Sequence, residues 1–559
     1  MEGDVTISVG GTSVIIAILF WLAHRRVKPM LWLLTLLALI LAGTLALGGL
    51  IFGNINVISM GFAAILLGLA VDYAVVHYQE ALAHPDQSVP EIRAAIAPSI
   101  FWAATTTICA FLVLNFGGLP GLGQLGTLVG VGVALSAFIM IFAFLPPLFP
   151  DRRTPRPRQP SSGNDTHGTT PSTNQPHNAR LVFIATAALI FFSVIILLFG
   201  IPKMDPTGNA LRPRNSKAYA ALDTIQHDLG QTQDPLWLLV SGMNEAEVAR
   251  KLDTVKPVLD LAVSNNVLTG FTLASTLWPR PEFQQANRTT ALKLASERDA
   301  IRSTVLTNGF TERAFGLADG VLDTWERAAK TSGVFWPTND LDRWILEKLA
   351  ARTFTNFYAL GLLYPAASSD GGIAKLQEQL NEDNVWLSGW QLLGRAVLGS
   401  VMKNLWKLIL PMVGLVLLSL WLAFKRPLEI LLSLSILLLS GLFLLAVMRL
   451  AGWSWNLLNL MGIPLILGTG VDYSIFMQLA LRRYHGDLRM AHRAVGRALL
   501  LCGGTAVAGF GALTLSSNAG MSSLGQICAV GIASNMLVSV FLLPSWWAAL
   551  INRKLRTKP

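Results

Sequence analysis

Apolar runs of membrane-spanning length, most of them ended by short clusters of Lys and Arg, recur along almost the whole chain and constrain its fold more than any other feature. A backbone crossing a bilayer has to satisfy its own N–H and C=O groups, so such runs fold as α-helices. Eleven are expected, over about 9–23, 30–52, 56–82, 95–116, 122–148, 181–199, 401–424, 428–451, 455–481, 498–515 and 524–551. Composition agrees, since 52% of the 559 residues are hydrophobic, 14% are charged and the mean hydropathy is +0.51. A soluble globular chain does not look like this. The net charge of +10 sits at span ends and not along one polar face, which argues for membrane topology and against a nucleic-acid partner.

The basic clusters at Arg25-Arg26, Arg152-Arg153, Lys425-Arg426, Arg482-Arg483, Arg489 to Arg497 and Arg553-Lys554 fall on one side if the spans alternate, and that side is expected to be cytoplasmic. The expected layout is a first membrane block of five spans over 1–150, a cytoplasmic Pro/Ser/Thr-rich linker over 151–179 and a single span over 180–200. A periplasmic α+β domain over 201–398, a second block of five spans over 399–552 and a cytoplasmic tail over 553–559 complete it. Inside the hydrophilic domain the patterning predicts strand, helix and strand over 236–240, 245–263 and 267–272, then helix over 288–349 and a strand over 356–364. No nucleophile elbow, P-loop or metal-ligand spacing is present, and Cys109, Cys502 and Cys528 all lie in apolar runs. The expectation is therefore no enzyme, no metal and no cofactor.

Two of the spans carry a carboxylate. Gly468-Thr-Gly-Val-Asp472-Tyr473 repeats Gly68-Leu-Ala-Val-Asp72-Tyr73 at a distance of 400 residues, and Asn56 and Asn456 precede the two aspartates by the same interval. An acid at the centre of a membrane helix costs roughly 2.5 to 3.5 kcal/mol on insertion scales. Two in matched places ask for a function, because one alone serves well enough as a helix-helix hydrogen-bond partner. Thr105 matches Thr505 at the same spacing; Leu122-Gly-Gln124 is matched by sequence with Leu524-Gly-Gln526. The span over 181–199 adds a crossing between the blocks, so they run in the same direction, a parallel repeat about an axis along the membrane normal.

These motifs, with the Thr- and Gly-rich spans that follow them and Leu211-Arg-Pro213 after the sixth span, resemble the resistance-nodulation-division superfamily, in its MMPL-type branch of lipid exporters. The resemblance implies a proton-driven exporter in the bacterial inner membrane, with a porter-like periplasmic domain and a proton relay of Asp72, Tyr73, Asp472 and Tyr473. Gly68, Gly468, Thr105 and Thr505 would support helix packing or the relay. The proton gradient would be the energy source and a lipid-like molecule the substrate. A periplasmic lipid carrier, a homo-oligomer or a separately encoded N-terminal half would be the partners. Members of the family carry a further helix and periplasmic domain ahead of the position where this chain starts, so it reads as an N-terminally truncated member.

The physics of the motif supports a relay. Desolvation disfavours a charged carboxylate, and no Lys or Arg lies inside the expected spans that carry Asp72 and Asp472 or in the Thr-bearing spans after them. That separates the chain from the drug-efflux branch, where a membrane lysine neutralises the acids. Two other branches stay open beside the exporter: an auxiliary subunit of protein translocase, and an incomplete fragment inactive alone. A sterol-sensing receptor is disfavoured, because residues 201–398 contain no cysteine for the disulfides of such ectodomains. His77 has Met477 at the matching position and is read as an interface residue, and Gly68 and Gly468 as points where the two motif helices touch.

Overall fold

The apolar runs fold as helices in two sequence blocks. The computed structural model describes residues 2–56, 58–84, 86–118, 120–149, 177–205, 216–228, 234–276, 281–330, 340–366, 370–380 and 383–556. The first block is α1 (Glu2–His24), α2 (Val27–Phe52), α3 (Phe62–Ala83), α4 (Val89–Leu112) and α5 (Pro120–Ala143), followed by α6 (His177–Leu198). Residues 151–176 of the expected linker and the Leu211-Arg-Pro213 motif lie outside the described residues.

The hydrophilic stretch comprises α7 (Lys217–Asp228), β1 (Leu236–Gly242), α8 (Glu245–Ser264), β2 (Leu268–Thr272), α9 (Pro281–Ser296), α10 (Arg298–Thr307), α11 (Glu312–Lys330), α12 (Asp340–Leu346), β3 (Ala350–Arg352), β4 (Phe357–Pro365), α13 (Asp370–Gln379) and β5 (Val385–Ser388). The second block is α14 (Trp390–Phe424), α15 (Pro427–Leu450), α16 (Gly462–Arg483), α17 (Leu488–Ala491), α18 (Arg497–Leu513), α19 (Ala519–Leu537) and α20 (Leu543–Arg556).

Among the described residues nine helical stretches are long and apolar enough to cross a membrane, the last of them running through α19 and α20 over Ala519–Leu550. The two other expected spans fold as shorter apolar helices, Val9–His24 and Arg497–Leu513. The fold class read from the apolar runs is the one observed. Contacts divide the chain into two units, Met1–Asn215 with Gly394–Pro559, and Ser216–Leu393.

In the second of these units the strands order β2-β4-β1-β5, all antiparallel, with β3 also on β4. Val248, Leu252, Val255 and Leu259 recur at helical spacing on α8 and bury one stripe against Leu236, Leu238 and Val240 of β1. Asn244 caps that helix by accepting from Glu247 N at 2.8 Å, and Glu247 returns to accept from Met243 N at 2.8 Å. The patterning of β3 and β5 was too short to show in the sequence, since three or four residues carry no period.

The parallel repeat is visible in the backbone of the membrane unit. Arg25 and Lys425, which end α1 and α14, both take a left-handed conformation, φ 50° and 54°. Arg26 and Arg426 then open α2 and α15 with nearly the same extended dihedrals. These positions keep the 400-residue interval. Beyond the motif helices it changes, because Ser88 caps α4 and Asp487 caps α17, 399 positions apart. The second half closes α16 through His485 and Gly486 at φ 50° and 84°, one residue shorter than the turn from His84 to Ser88. Every helix after that turn is out of step with the motif helices by one residue.

Candidate functional site

α3 and α16 are buried around almost their whole circumference, as expected of central helices in a bundle. Their small residues set how they pack. A Cβ on Gly68 would stand 2.9 Å from Thr505 O and 3.3 Å from Gly509 Cα, and one on Gly468 would meet Ala110 Cβ. The expectation that these glycines bring the two motif helices together is therefore corrected. Gly68 lets α3 close on α18, and Gly468 lets α16 close on α4, so each motif helix packs on the threonine-bearing helix of the opposite half.

That crossing delivers the hydroxyls. Thr106 Oγ1 lies 2.6 Å from Asp472 Oδ1 and Thr107 Oγ1 lies 2.8 Å from Asp472 Oδ2. Across the repeat, Thr505 Oγ1 lies 3.4 Å from Asp72 Oδ1 and, more closely, 2.7 Å from Cys502 O of its own helix. Thr105 does not reach an aspartate; it donates to Phe101 O at 2.8 Å. The counterpart of Thr505 is thus Thr106, at the 399-residue interval. Two further contacts keep that interval. Gly126 meets Phe111 O and Leu114 Cβ as Gly525 meets Phe510 O and Leu513 Cβ. Gln124 holds Asn56 N at 2.6 Å, and the residue in its place in the second half is Ser523, which accepts from Asn456 Nδ2 at 2.7 Å. The match of Gln124 with Gln526 is out of register by three positions.

Asp72, Tyr73, Asp472 and Tyr473 all line one cavity of about 20 Å³, closed by Leu69, Ala103, Thr107, Thr469, Phe476, Leu499 and Cys502. It is large enough for about one water molecule. No Lys or Arg is among its lining residues. Cys502, Thr106, Thr107 and Phe476 join the residues singled out from the motif. The threonines were visible as a Thr105-Thr106-Thr107 run, but which of the three faces the acid depended on the one-residue difference in the turn before α4. His77 points elsewhere: it is buried with Nδ1 3.2 Å from Met140 O of α5, a contact inside its own half.

The chain matches the MMPL family over residues 1–150 and 379–558, more than half its length. A hopanoid transporter, HpnN, of Burkholderia multivorans is 24% identical over 95% of this chain, which spans 66% of that protein's length. The HpnN hopanoid transporter of Rhodopseudomonas palustris is 29% identical over a stretch covering 22% of this chain and 14% of that protein. Among solved structures, the translocon-associated membrane protein SecDF of Thermus aligns with a TM-score of 0.54 at 13% identity, covering 99% of this chain and 63% of that one. A heavy metal efflux pump aligns with a TM-score of 0.57 at 14% identity, covering 99% and 68%. At such identities the two structures speak for the fold alone.

Proposed function

This chain belongs to the MMPL family, and from that premise we propose that it is a proton-driven exporter of a lipid-like substrate, working in a bacterial inner membrane with its basic clusters in the cytoplasm. The observation that carries the reading is one water-sized cavity in which the aspartates of two pseudo-symmetric halves meet, Asp472 facing Thr106 and Thr107 and Asp72 facing Thr505 of the other half. A conformational change needs a ligand that distinguishes two states. Here the ligand is the proton, because a charged carboxylate accepts the hydroxyls of the opposite half and a neutral one donates.

The hydroxyl geometry suits one proton shared by the pair. Thr505 and Thr106 each also reach a carbonyl of their own helix, Cys502 O at 2.7 Å and Ala103 O at 2.8 Å, so each can give its single proton to that carbonyl and accept from a neutral acid, while Thr107 lies 2.8 Å from Asp472 Oδ2. Moving the proton from one acid to the other reverses which helix pair is held by charge-assisted bonds, and the two halves shift against each other. The lipid-like class of substrate is supported by the hopanoid transporters among the relatives.

Reconstituted into liposomes with a pH-sensitive dye inside, the protein is expected to take up protons along an imposed gradient. Asp72→Asn and Asp472→Asn should each lower that flux by about 100-fold or more while leaving membrane insertion intact. Retention of full flux in both variants would exclude the relay. Extraction of a labelled hopanoid or phospholipid from the bilayer, compared with release of a secreted protein, tells lipid export from a role in protein translocation.

A further inference from the structure

On the face of α16 turned away from Asp472, polar side chains are buried with some of their atoms unpaired. Ser474 Oγ and Gln478 Nε2 meet Ser433 Oγ of α15, and Gln478 Nε2 also reaches Glu429 O at 3.1 Å. Gln478 Oε1 has no partner among the described residues. The same is true of Ser440 Oγ on α15, of both side-chain atoms of Asn535 on α19, and of Ser539 Oγ in the π-helical turn Val538–Leu542 that joins α19 to α20. These four residues are at most 1% exposed. Unpaired polar atoms are costly in a membrane interior, and several along one seam call for a common partner.

The groups follow one line. Gly470, Ser474 and Gln478 recur at intervals of four on α16, and Ser440 stands two turns beyond Ser433 on the same face of α15. A Cβ on Gly470 would lie 2.2 Å from Asn535 Nδ2, so the amide fills the notch that this glycine leaves. Ser539 is one turn further toward Trp547, which reaches Glu429 at the basic end of the seam. One turn beyond Asn535 in the other direction, Gly531 lies against Ile466, and the seam ends in apolar contact. Room comes from the difference between the halves. Where the second half has Gln478, Ser433, Ser440 and Ser539, the matching first-half residues are Tyr78, Leu33, Ile40 and Met140, each at most 1% exposed. Four large buried side chains are thus exchanged for smaller polar ones. Asn535 is larger than its counterpart Ser136, and Gly470 in place of Ala70 makes space for it.

We propose that the seam between α15, α16 and the α19–α20 segment is a binding site for a file of water molecules, running from Gln478 to Asn535. The eight residues of α16 from Gly470 to Gln478 span about 12 Å, which takes about four waters at hydrogen-bonding distance. Water is the ligand that the chemistry selects, because it both donates and accepts. Gln478 Oε1 needs a donor, the serine hydroxyls do either, and the Asn535 amide presents a donor and an acceptor whichever way it is turned. A metal ion would serve the oxygens and leave the Asn535 N–H groups facing a cation. The site is separate from the two aspartates and stands or falls independently of the relay. Its effect is on the scaffold: α16 is bonded to α15 directly at Ser433, and to α19 and the π-helical turn through partners that can be exchanged.

The test uses the full chain in lipid nanodiscs and a short X-ray pulse, which makes hydroxyl radicals from bound water as well as from bulk water. A buried side chain beside bound water is then oxidised, and one in dry packing is spared. With Cys109, Cys502 and Cys528 replaced by Ser, the thiol of Ser539→Cys should be oxidised about tenfold faster than that of Met140→Cys at the matching first-half position. Neither should react with a membrane-impermeant maleimide. In the unaltered chain, which needs no substitution to fold, Trp547 should be oxidised at least about fivefold faster than the fully buried Phe111 of the first half. Equal rates in either comparison would overturn the file. Maleimide labelling of Ser539→Cys would overturn it too, as the mark of a cleft open to bulk water. A thermal midpoint that differs between sodium and potassium chloride would assign the seam to an ion in place of water.

Discussion

The two motif helices share a sequence pattern and a burial pattern, yet they are attached to their neighbours in different ways. Behind α16, Ser474 Oγ and Gln478 Nε2 both bond Ser433 Oγ, at 2.9 and 2.8 Å, and Arg482 pairs with Glu429 at 2.9 Å. This polar ladder ties α16 to α15 on the face away from the aspartate. Four hundred positions earlier the same places hold Ala74, Tyr78 and Leu82 on α3 and Leu33 and Pro29 on α2, where apolar packing replaces the ladder. Apolar side chains slide over one another at little cost, and hydrogen bonds in a low-dielectric span fix a register. The lesson is that the repeat preserves the aspartate and lets the scaffold diverge: one face of α16 is hydrogen-bonded to α15, whereas the matching face of α3 meets α2 through apolar packing.

The difference can be broken at matched positions. Arg482→Ala leaves Glu429, which is fully buried, without its partner and should cost about 3 kcal/mol in a thermal unfolding measurement in detergent. Leu82→Ala, the same position in the first half, lies at an exposed edge and should cost no more than about 0.5 kcal/mol. Equal costs would mean that the ladder does not hold the second half together.

The hydroxyls allow a finer comparison. Thr106→Val removes a bond to a carboxylate and should slow proton flux by about tenfold, and Thr505→Val, whose contact is longer, by about twofold. Thr105→Val should leave flux unchanged, since that hydroxyl bonds its own helix. A larger effect at Thr505 than at Thr106 would mean that contact length does not rank the two hydroxyls. A small effect is expected from Ser474→Ala, which makes the second half resemble Ala74 of the first and should lower stability by about 0.6 kcal/mol in the same unfolding assay.

Much of the architecture was legible beforehand because membrane helices announce themselves. Long apolar runs leave a chain no other way to satisfy its backbone, and the second Asp-Tyr pair marked the repeat. In the hydrophilic stretch β1, α8, β2 and β4 were readable from alternation and helical period, whereas β3, α13 and β5 were too short or too polar to stand out. Asp72, Tyr73, Asp472 and Tyr473 were also recognisable, since an acid in an apolar helix is costly. What they touch was not.

The sequence by itself determined the helices, their parallel repeat and the four residues of the motif, because each of these is a local property of composition and period. Only the tertiary structure decided that each acid meets threonine hydroxyls of the opposite half, that Thr106 and Thr107 and not Thr105 reach Asp472, and that all four motif residues line one cavity. A single residue missing from the turn after α16 shifts the numbering of every later helix by one, so a partner chosen at the 400-residue interval lies about 100° around the helix from the one that makes the matching contact. Inside either half nothing marks that step; it becomes visible only where side chains from the two halves pack together.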